Sequence, residues 1–221
     1  MSLPVRRPLI GSTISATVHA FLASISIGLD ELVFRALNLA GANPILDRIM
    51  IFFTILSGVY VIFLVAVPLW WRGLRTATFD VLLLLAITIL VTEAIKYLVD
   101  RPRPCDALVN VDTLAGYRCS AEFDPAFPSG HASRAFAVAA FLTVRFRWRL
   151  GILAGAFAVL AGISRVYLGL HWPSDVLGGA VVGIGFAVLI EIVSRRVEPY
   201  QRIRTRIVEA VPHLPRRSRG A

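Results

Sequence analysis

Long runs of apolar residues, each closed by a short polar or basic interruption, organise this chain. A helix that crosses the hydrocarbon of a bilayer needs about 20 mostly apolar residues. Six stretches meet that need, at residues 9–28, 49–71, 78–98, 129–148, 150–170 and 175–194. Between the first and second lies DELVFRALN, residues 30–38, short and amphipathic enough to rest along a membrane surface. Only a few residues join the fourth and fifth stretches, which are expected to pack as antiparallel neighbours. The pattern predicts an all-α polytopic membrane protein with six transmembrane helices and a short interfacial helix over residues 1–194. A basic tail over 195–221 is expected to rest, partly disordered, on anionic headgroups.

Composition agrees with a bilayer as solvent. Hydrophobic residues make up 57% of the 221 and charged residues 17%, with a mean hydropathy of +0.72. Soluble domains lie nearer a half and a quarter. Arg6 and Arg7 before the first apolar run would also suit a cleaved signal peptide. The length of that run, with no small-residue cleavage site ahead of a soluble domain, favours a retained helix. The net charge of +9 raises nucleic acid as a partner. The basic residues punctuate apolar runs instead of covering one polar face, however, so membrane topology accounts for them and no nucleic acid is implied.

That basic pattern also gives an orientation. Fifteen of the 23 Lys and Arg residues fall on one side, among them Arg72, Arg75, Arg145, Arg149, Arg195 and those of the tail. The positive-inside rule makes that side, with both termini, cytoplasmic in an inner membrane. Trp70, Trp71 and Trp148 fit an aromatic belt at the inner interface and Trp172 the outer one. Cys105 and Cys119 share one polar loop on the outer side, where an oxidising compartment would allow a disulfide. Two unrelated thiols are the alternative. Gly178, Gly179 and Gly183 suit close helix contacts, within the bundle or across a dimer. Nothing in the pattern fixes an oligomeric state.

Ionisable residues at membrane depth are functional candidates. Lys96 and Arg103 lie at and beyond the end of the third stretch, and Pro128-Ser129-Gly130-His131 opens the fourth. Ser164 and Arg165 lie near the end of the fifth, and His171 and Asp175 flank the start of the sixth. Alternating helix direction brings all four groups to the outer face, toward the periplasm or exterior. Lys96, Arg103 and Arg165 form a cationic set suited to an anion of more than one charge, such as phosphate. Lys96 is the only lysine among the 23 basic residues, which marks it for a specific role beyond snorkelling. Ser129 and Gly130 at a helix start offer backbone donors and close approach to that anion.

His171 and Asp175 are four residues apart across Pro173, a spacing that lets the carboxylate orient one imidazole nitrogen and leaves the other as nucleophile or base. His131 at the same level suits a general acid. A metal on His131, His171 and Asp175 is permitted by residue type, but the nearby cations oppose it. Glu93, three residues before Lys96, is a candidate partner for it. Asp100 and Arg101 read as local loop charges, Arg101 with a possible contact to a second phosphate. His19 reads as packed or cavity-facing and His213 as solvated.

These residues resemble the signatures of the type 2 phosphatidic acid phosphatase superfamily. Lys96, six residues, then Arg103-Pro104 is similar to its first signature. Pro128-Ser129-Gly130-His131 is similar to the second, and Ser164-Arg165, five residues, His171, three residues, Asp175 to the third. The resemblance implies that His171 attacks phosphorus, Asp175 orients it and His131 protonates the leaving oxygen. Lys96, Arg103, Ser129, Gly130 and Arg165 would hold the phosphate, with no metal or cofactor, and water would release phosphate from His171. The soluble vanadium haloperoxidases among its relatives do not fit this hydropathy. The implied substrate is a lipid-linked phosphate or diphosphate, above all a polyprenyl diphosphate such as undecaprenyl diphosphate. Phosphatidylglycerol phosphate, phosphatidic acid and lipid A 1-phosphate are alternatives, as is transfer to a second lipid. A non-enzymatic anion or lipid-phosphate transporter is the reading from another class, but it has no use for an oriented nucleophile.

Overall fold

The computed structural model describes residues 28–111, 113–114, 124–146 and 148–211. The described residues are helical and contain no strand. In chain order they form α1 (28–37), α2 (Pro44–Leu56), α3 (Val59–Ile62), a 3₁₀ turn (Phe63–Val65) and α4 (Ala66–Trp71). There follow α5 (Arg75–Val99), α6 (Pro104–Ala107), α7 (Gly130–Arg145), α8 (Trp148–Tyr167), α9 (Pro173–Arg196) and α10 (Glu198–Ala210).

α5, α8 and α9 are each long and apolar enough to cross a membrane. The stretch expected at 49–71 begins earlier, at Pro44, and is broken: α2 and the segment Val59–Trp71 meet at 61°. The break falls at Ser57-Gly58. The Ser57 hydroxyl donates to the carbonyls of Phe53 at 2.8 Å and Thr54 at 3.1 Å, which occupies acceptors at the end of α2. Counted as one crossing, this pair brings the candidate spans among the described residues to four. The fourth expected stretch, α7, is a 16-residue helix packed among α5, α8 and α9. Except for its last residue, the stretch 9–28 lies outside the described residues, as do His19, Cys119 and His213.

The α7–α9 contact sets the position of the signature residues at the start of both helices. A side-chain Cβ at Gly183 would lie 2.1 Å from the Ser133 carbonyl oxygen, and one at Gly179 would lie 2.6 Å from that of Ser129. Gly178 faces the Phe127 ring in the same way. These glycines therefore serve the bundle. Below them, Val81, Leu84 and Leu85 of α5 pack against Ala137 and Phe141 of α7 and Ile190 of α9. Between membrane helices such packing stabilises by dispersion and close fit, since lipid tails are as apolar as the core.

Two segments differ from their expected form. α1 exposes Leu29, Leu32 and Val33, as an interfacial helix would, but its opposite side is buried. The Phe34 ring packs 5.6 Å from Trp172, and Asp30 is buried beside the start of α9. At the other end the expected tail begins as α9 itself, which runs to Arg196, and continues as α10. α10 is docked through Asp80 of α5. Tyr200 donates to Asp80 Oδ1 at 2.5 Å. Arg204 and Arg145 reach Asp80 Oδ2 at 2.7 and 3.1 Å. Burial and the bond to Asp80 push the Tyr200 phenol above its ordinary range. A buried carboxylate able to recruit the tail is why part of it is ordered as a helix. Residues 212–221 lie outside the described residues.

Candidate active site

α5 ends at Val99, three residues after Lys96. Asp100 adopts φ +47°, and its N–H donates to the Lys96 carbonyl at 2.8 Å. The reversal sends the chain back as Arg101-Pro102-Arg103. Arg103 is then fixed by its own bonds: Nη1 donates to the Leu170 carbonyl at 2.9 Å. On the opposite wall, the Ser129 N–H donates to the Asp175 carbonyl at 2.9 Å, which joins the start of α7 to the start of α9. The Ser129 hydroxyl is buried with no hydrogen-bond partner. Ser164 of α8 is bonded to Thr54 of α2 at 2.8 Å, so it supports the frame.

The expected residues converge. One cavity of about 420 Å³ is lined by Lys96, Arg103, Gly130, His131, Arg165 and His171. Lys96, Arg103, Arg165 and His171 are all nearly inaccessible to solvent. Glu93 also lines the cavity and pairs with Lys96 at 3.4 Å, as its spacing predicted.

His171 follows α8 and is held by backbone bonds: the N–H groups of Leu170 and His171 donate to the Arg165 carbonyl at 3.0 and 3.3 Å. Burial, the cations Arg165 and Arg103, and then His131 and Lys96 together hold its imidazole well below the usual histidine value. It is therefore neutral and keeps a lone pair at ordinary pH. Nδ1 lies 3.5 Å from Asp175 Oδ2, longer than a hydrogen bond, and has no hydrogen-bond partner among the described residues. Such contacts tighten when substrate fills a site.

Asp175 is completely buried and is held from two sides. Oδ2 accepts from the Trp172 N–H at 2.8 Å. Oδ1 accepts from Arg101 Nη1 at 2.7 Å. The Arg101 guanidinium also meets Asp30 of α1 at 2.6 Å through Nη2 and lies 5.1 Å from the Trp172 ring centroid. Arg101 is thus more than a loop charge, and it is turned toward the two aspartates.

Two residues that sequence reasoning missed line the same cavity. Asp124 bridges the two cations of the first signature. Its Oδ1 meets Lys96, its Oδ2 accepts from Arg103 Nη2 at 2.5 Å, and its carbonyl accepts from Arg103 Nε at 2.9 Å. Two oxygens on two cations is also how a phosphate would be held, so Asp124 marks an anion position. Its location in an irregular loop gave no periodic signal. Arg134 is buried on α7, three residues after His131 and hence on the same helix face. That spacing was legible in the sequence.

The chain is similar to proteins of one family. Residues 77–198 match the family model described as PAP2 superfamily. Undecaprenyl-diphosphatase BcrC of Bacillus subtilis is 34% identical over 81% of this chain and 91% of its own length. The undecaprenyl-diphosphatase of Sulfolobus acidocaldarius is 33% identical over 72% of this chain and 75% of its own. Among solved structures, Aquifex aeolicus LpxE superposes with a TM-score of 0.65 at 28% identity, over 73% of this chain and 94% of that one. A transmembrane PAP2-type phosphatidylglycerolphosphate phosphatase from Bacillus subtilis superposes with a TM-score of 0.63 at 25% identity, over 85% of this chain and 98% of that one. With apolar helices, a cation-lined cavity and full-length relatives in agreement, the chain belongs to the PAP2 superfamily and is a membrane lipid phosphatase.

Proposed function

We propose that this chain hydrolyses undecaprenyl diphosphate to undecaprenyl phosphate at the outer face of the cytoplasmic membrane, through a phosphohistidine on His171. The observation that carries the reading is the approach of a buried neutral His171 to a cavity walled by Lys96, Arg103 and Arg165, with Asp175 behind it. Relatives named for that reaction supply the lipid. His171 attacks the terminal phosphorus, and the bond to the bridging oxygen breaks. With the substrate's phosphate offsetting the surrounding cations, protonated His131 gives its proton to that oxygen, and water, giving up a proton to His131, then displaces His171 and releases phosphate. Lys96, Arg103 and Arg165, with Ser129 and the backbone of Gly130, stabilise charge on the transferring group. Cations around the cavity take the part a metal would otherwise play, so the reaction needs none.

The wider topology belongs to the same proposal. Six crossings place both termini in the cytoplasm, as the distribution of arginines supports. The same reading pairs Cys105 with Cys119 as a disulfide on the outer side. A lipid monophosphate is the second reading, favoured by the solved phosphatidylglycerolphosphate phosphatase.

The test uses purified full-length protein in detergent with undecaprenyl diphosphate and EDTA. Phosphate release is expected with chelator present, together with an acid-labile phosphohistidine on rapid quenching. His171→Ala should abolish both. Loss of activity on chelation, or full activity in His171→Ala, overturns the mechanism.

A further inference from the structure

We infer that Arg134 holds the phosphate that stays on the lipid, and so sets a preference for lipid diphosphates over lipid monophosphates. The inference rests on the proposed function and assigns a second subsite within the same cavity.

Arg134 is nearly fully buried yet lines the cavity. Its Nε reaches the Ser57 carbonyl at 3.4 Å, at the break between α2 and α3. No carboxylate of the described residues lies within ion-pairing distance of it, and Glu93 and Asp124 act on it only from farther across the cavity, whereas Lys96 and Arg103 both pair with Asp124. A buried guanidinium is costly without a counter-charge. An anion entering the cavity would supply one.

Its location identifies which anion. The side chain folds back toward the start of α7, as long helical side chains do. Nη1 comes to 3.0 Å from where a Cβ of Gly130 would stand. The guanidinium therefore covers the first turn of α7, whose free N–H groups and dipole also favour an anion. His131 lies on this face. In the proposed reaction His131 serves the leaving oxygen, so Arg134 is beside the leaving group, away from the phosphorus under attack. A lipid monophosphate leaves as an alcohol, with no charge for Arg134 to meet. A lipid diphosphate leaves as a lipid phosphate, which is anionic and matches a bidentate guanidinium. Val59 and Ile89 also line the cavity and offer apolar surface suited to the first carbons of the tail.

The reaction balances without a co-reactant other than water. His171 forms a bond to the terminal phosphorus as its bond to the bridging oxygen breaks. The bridging oxygen stays on the lipid phosphate held by Arg134. Water later displaces His171 and releases inorganic phosphate.

The experiment compares farnesyl diphosphate with farnesyl monophosphate, so that the tail is constant. Wild type, Arg134→Gln and Arg134→Lys are assayed as full chains in detergent. Losing a charge-assisted contact is expected to lower kcat/KM for the diphosphate about tenfold or more, with a much smaller change for the monophosphate. Arg134→Lys should recover part of the loss. Equal losses on both substrates, or no loss on the diphosphate, overturn the assignment. If wild type hydrolyses neither substrate, the functional reading fails on its own. Arg134 is then decided by competition between methylene diphosphonate and inorganic phosphate for the cavity. Wild-type preference for the diphosphonate, lost in Arg134→Gln, supports the subsite, and equal binding of the two anions by wild type overturns it.

Discussion

Arg101 donates to Asp175 Oδ1 at 2.7 Å while its other terminal nitrogen meets Asp30 at 2.6 Å. One guanidinium thus lies between two buried carboxylates from opposite ends of the described chain. Asp30 is itself held by the N–H of Ser174 at 2.9 Å and the hydroxyl of Ser174 at 2.5 Å. The orientation of Asp175, and through it of His171, therefore depends on α1. Arg101 acts through Asp175 as a positioning residue. Arg101→Gln is expected to lower kcat by about ten- to a hundredfold, the worth of one charged hydrogen bond, with KM little changed. Asp30→Asn should act in the same direction, and Arg101→Lys should recover part of the rate. A raised KM at unchanged kcat would instead place Arg101 on the substrate.

The low-lying titration of His171 gives a pH prediction. Burial comes first among its causes and the charge of Arg165 second. As the proposed nucleophile His171 must be unprotonated, so a lowered value keeps it active to more acid pH than an ordinary imidazole at 6.5. Removing Arg165 removes one of the depressing charges. In Arg165→Gln the value rises, and the acid limb of kcat/KM should move to higher pH, at reduced overall activity. Substrate ionisation contributes equally to both enzymes and cancels in the comparison. An acid limb that stays in place would separate Arg165 from His171.

Much of this site was legible because its parts sit at helix ends, where spacing along the chain translates into position. Lys96, His131, Arg165 and His171 were each tied to the end of an apolar run, and all four line one cavity. Glu93 was found by helical spacing from Lys96. Asp124 was not, because its contacts depend on the path of an irregular loop that no periodicity describes. Arg101 was read as a loop charge and Asp30 was not singled out for a related reason: the two are 71 residues apart, and only the packed fold brings them together. The crossing at 49–71 was read as one continuous helix since apolar composition is insensitive to a bend at Ser57-Gly58.

The α7–α9 contact predicts opposite outcomes for two neighbouring glycines. A Cβ at Gly183 would lie 2.1 Å from the backbone oxygen of Ser133, which cannot move without shifting α7. Gly183→Ala is expected to destabilise by about 2 kcal/mol or more and to lower activity, since α7 carries His131. Nothing lies within 4 Å of a Cβ at Gly185. Gly185→Ala should be neutral, or stabilising by up to about 1 kcal/mol through helix propensity. Thermal unfolding in detergent distinguishes them, and similar behaviour of the two would mean that α7 and α9 do not approach so closely.

At the opposite end of the bundle, Asp80 is fully buried and accepts from Arg145, Tyr200 and Arg204. Arg145 keeps a second acid, Glu191 at 3.0 Å, whereas Arg204 pairs with Asp80. Asp80→Asn therefore removes the charge that docks α10 and leaves Arg204 poorly compensated. Breaking a buried pair costs about 3–5 kcal/mol, which is enough to release α10. Tyr200→Phe removes one hydrogen bond and should cost about 1 kcal/mol. Limited proteolysis is expected to cut within 198–210 readily in Asp80→Asn and only slightly faster than wild type in Tyr200→Phe. Asp80 and Lys96 are both on α5, and their sixteen-residue separation in sequence amounts to about 24 Å along a helix. Phosphatase activity should accordingly survive release of α10. Rapid cleavage with unchanged kcat/KM is the expected pair of results, whereas activity lost together with the helix would show that the α10 end of the bundle controls the site at the other end.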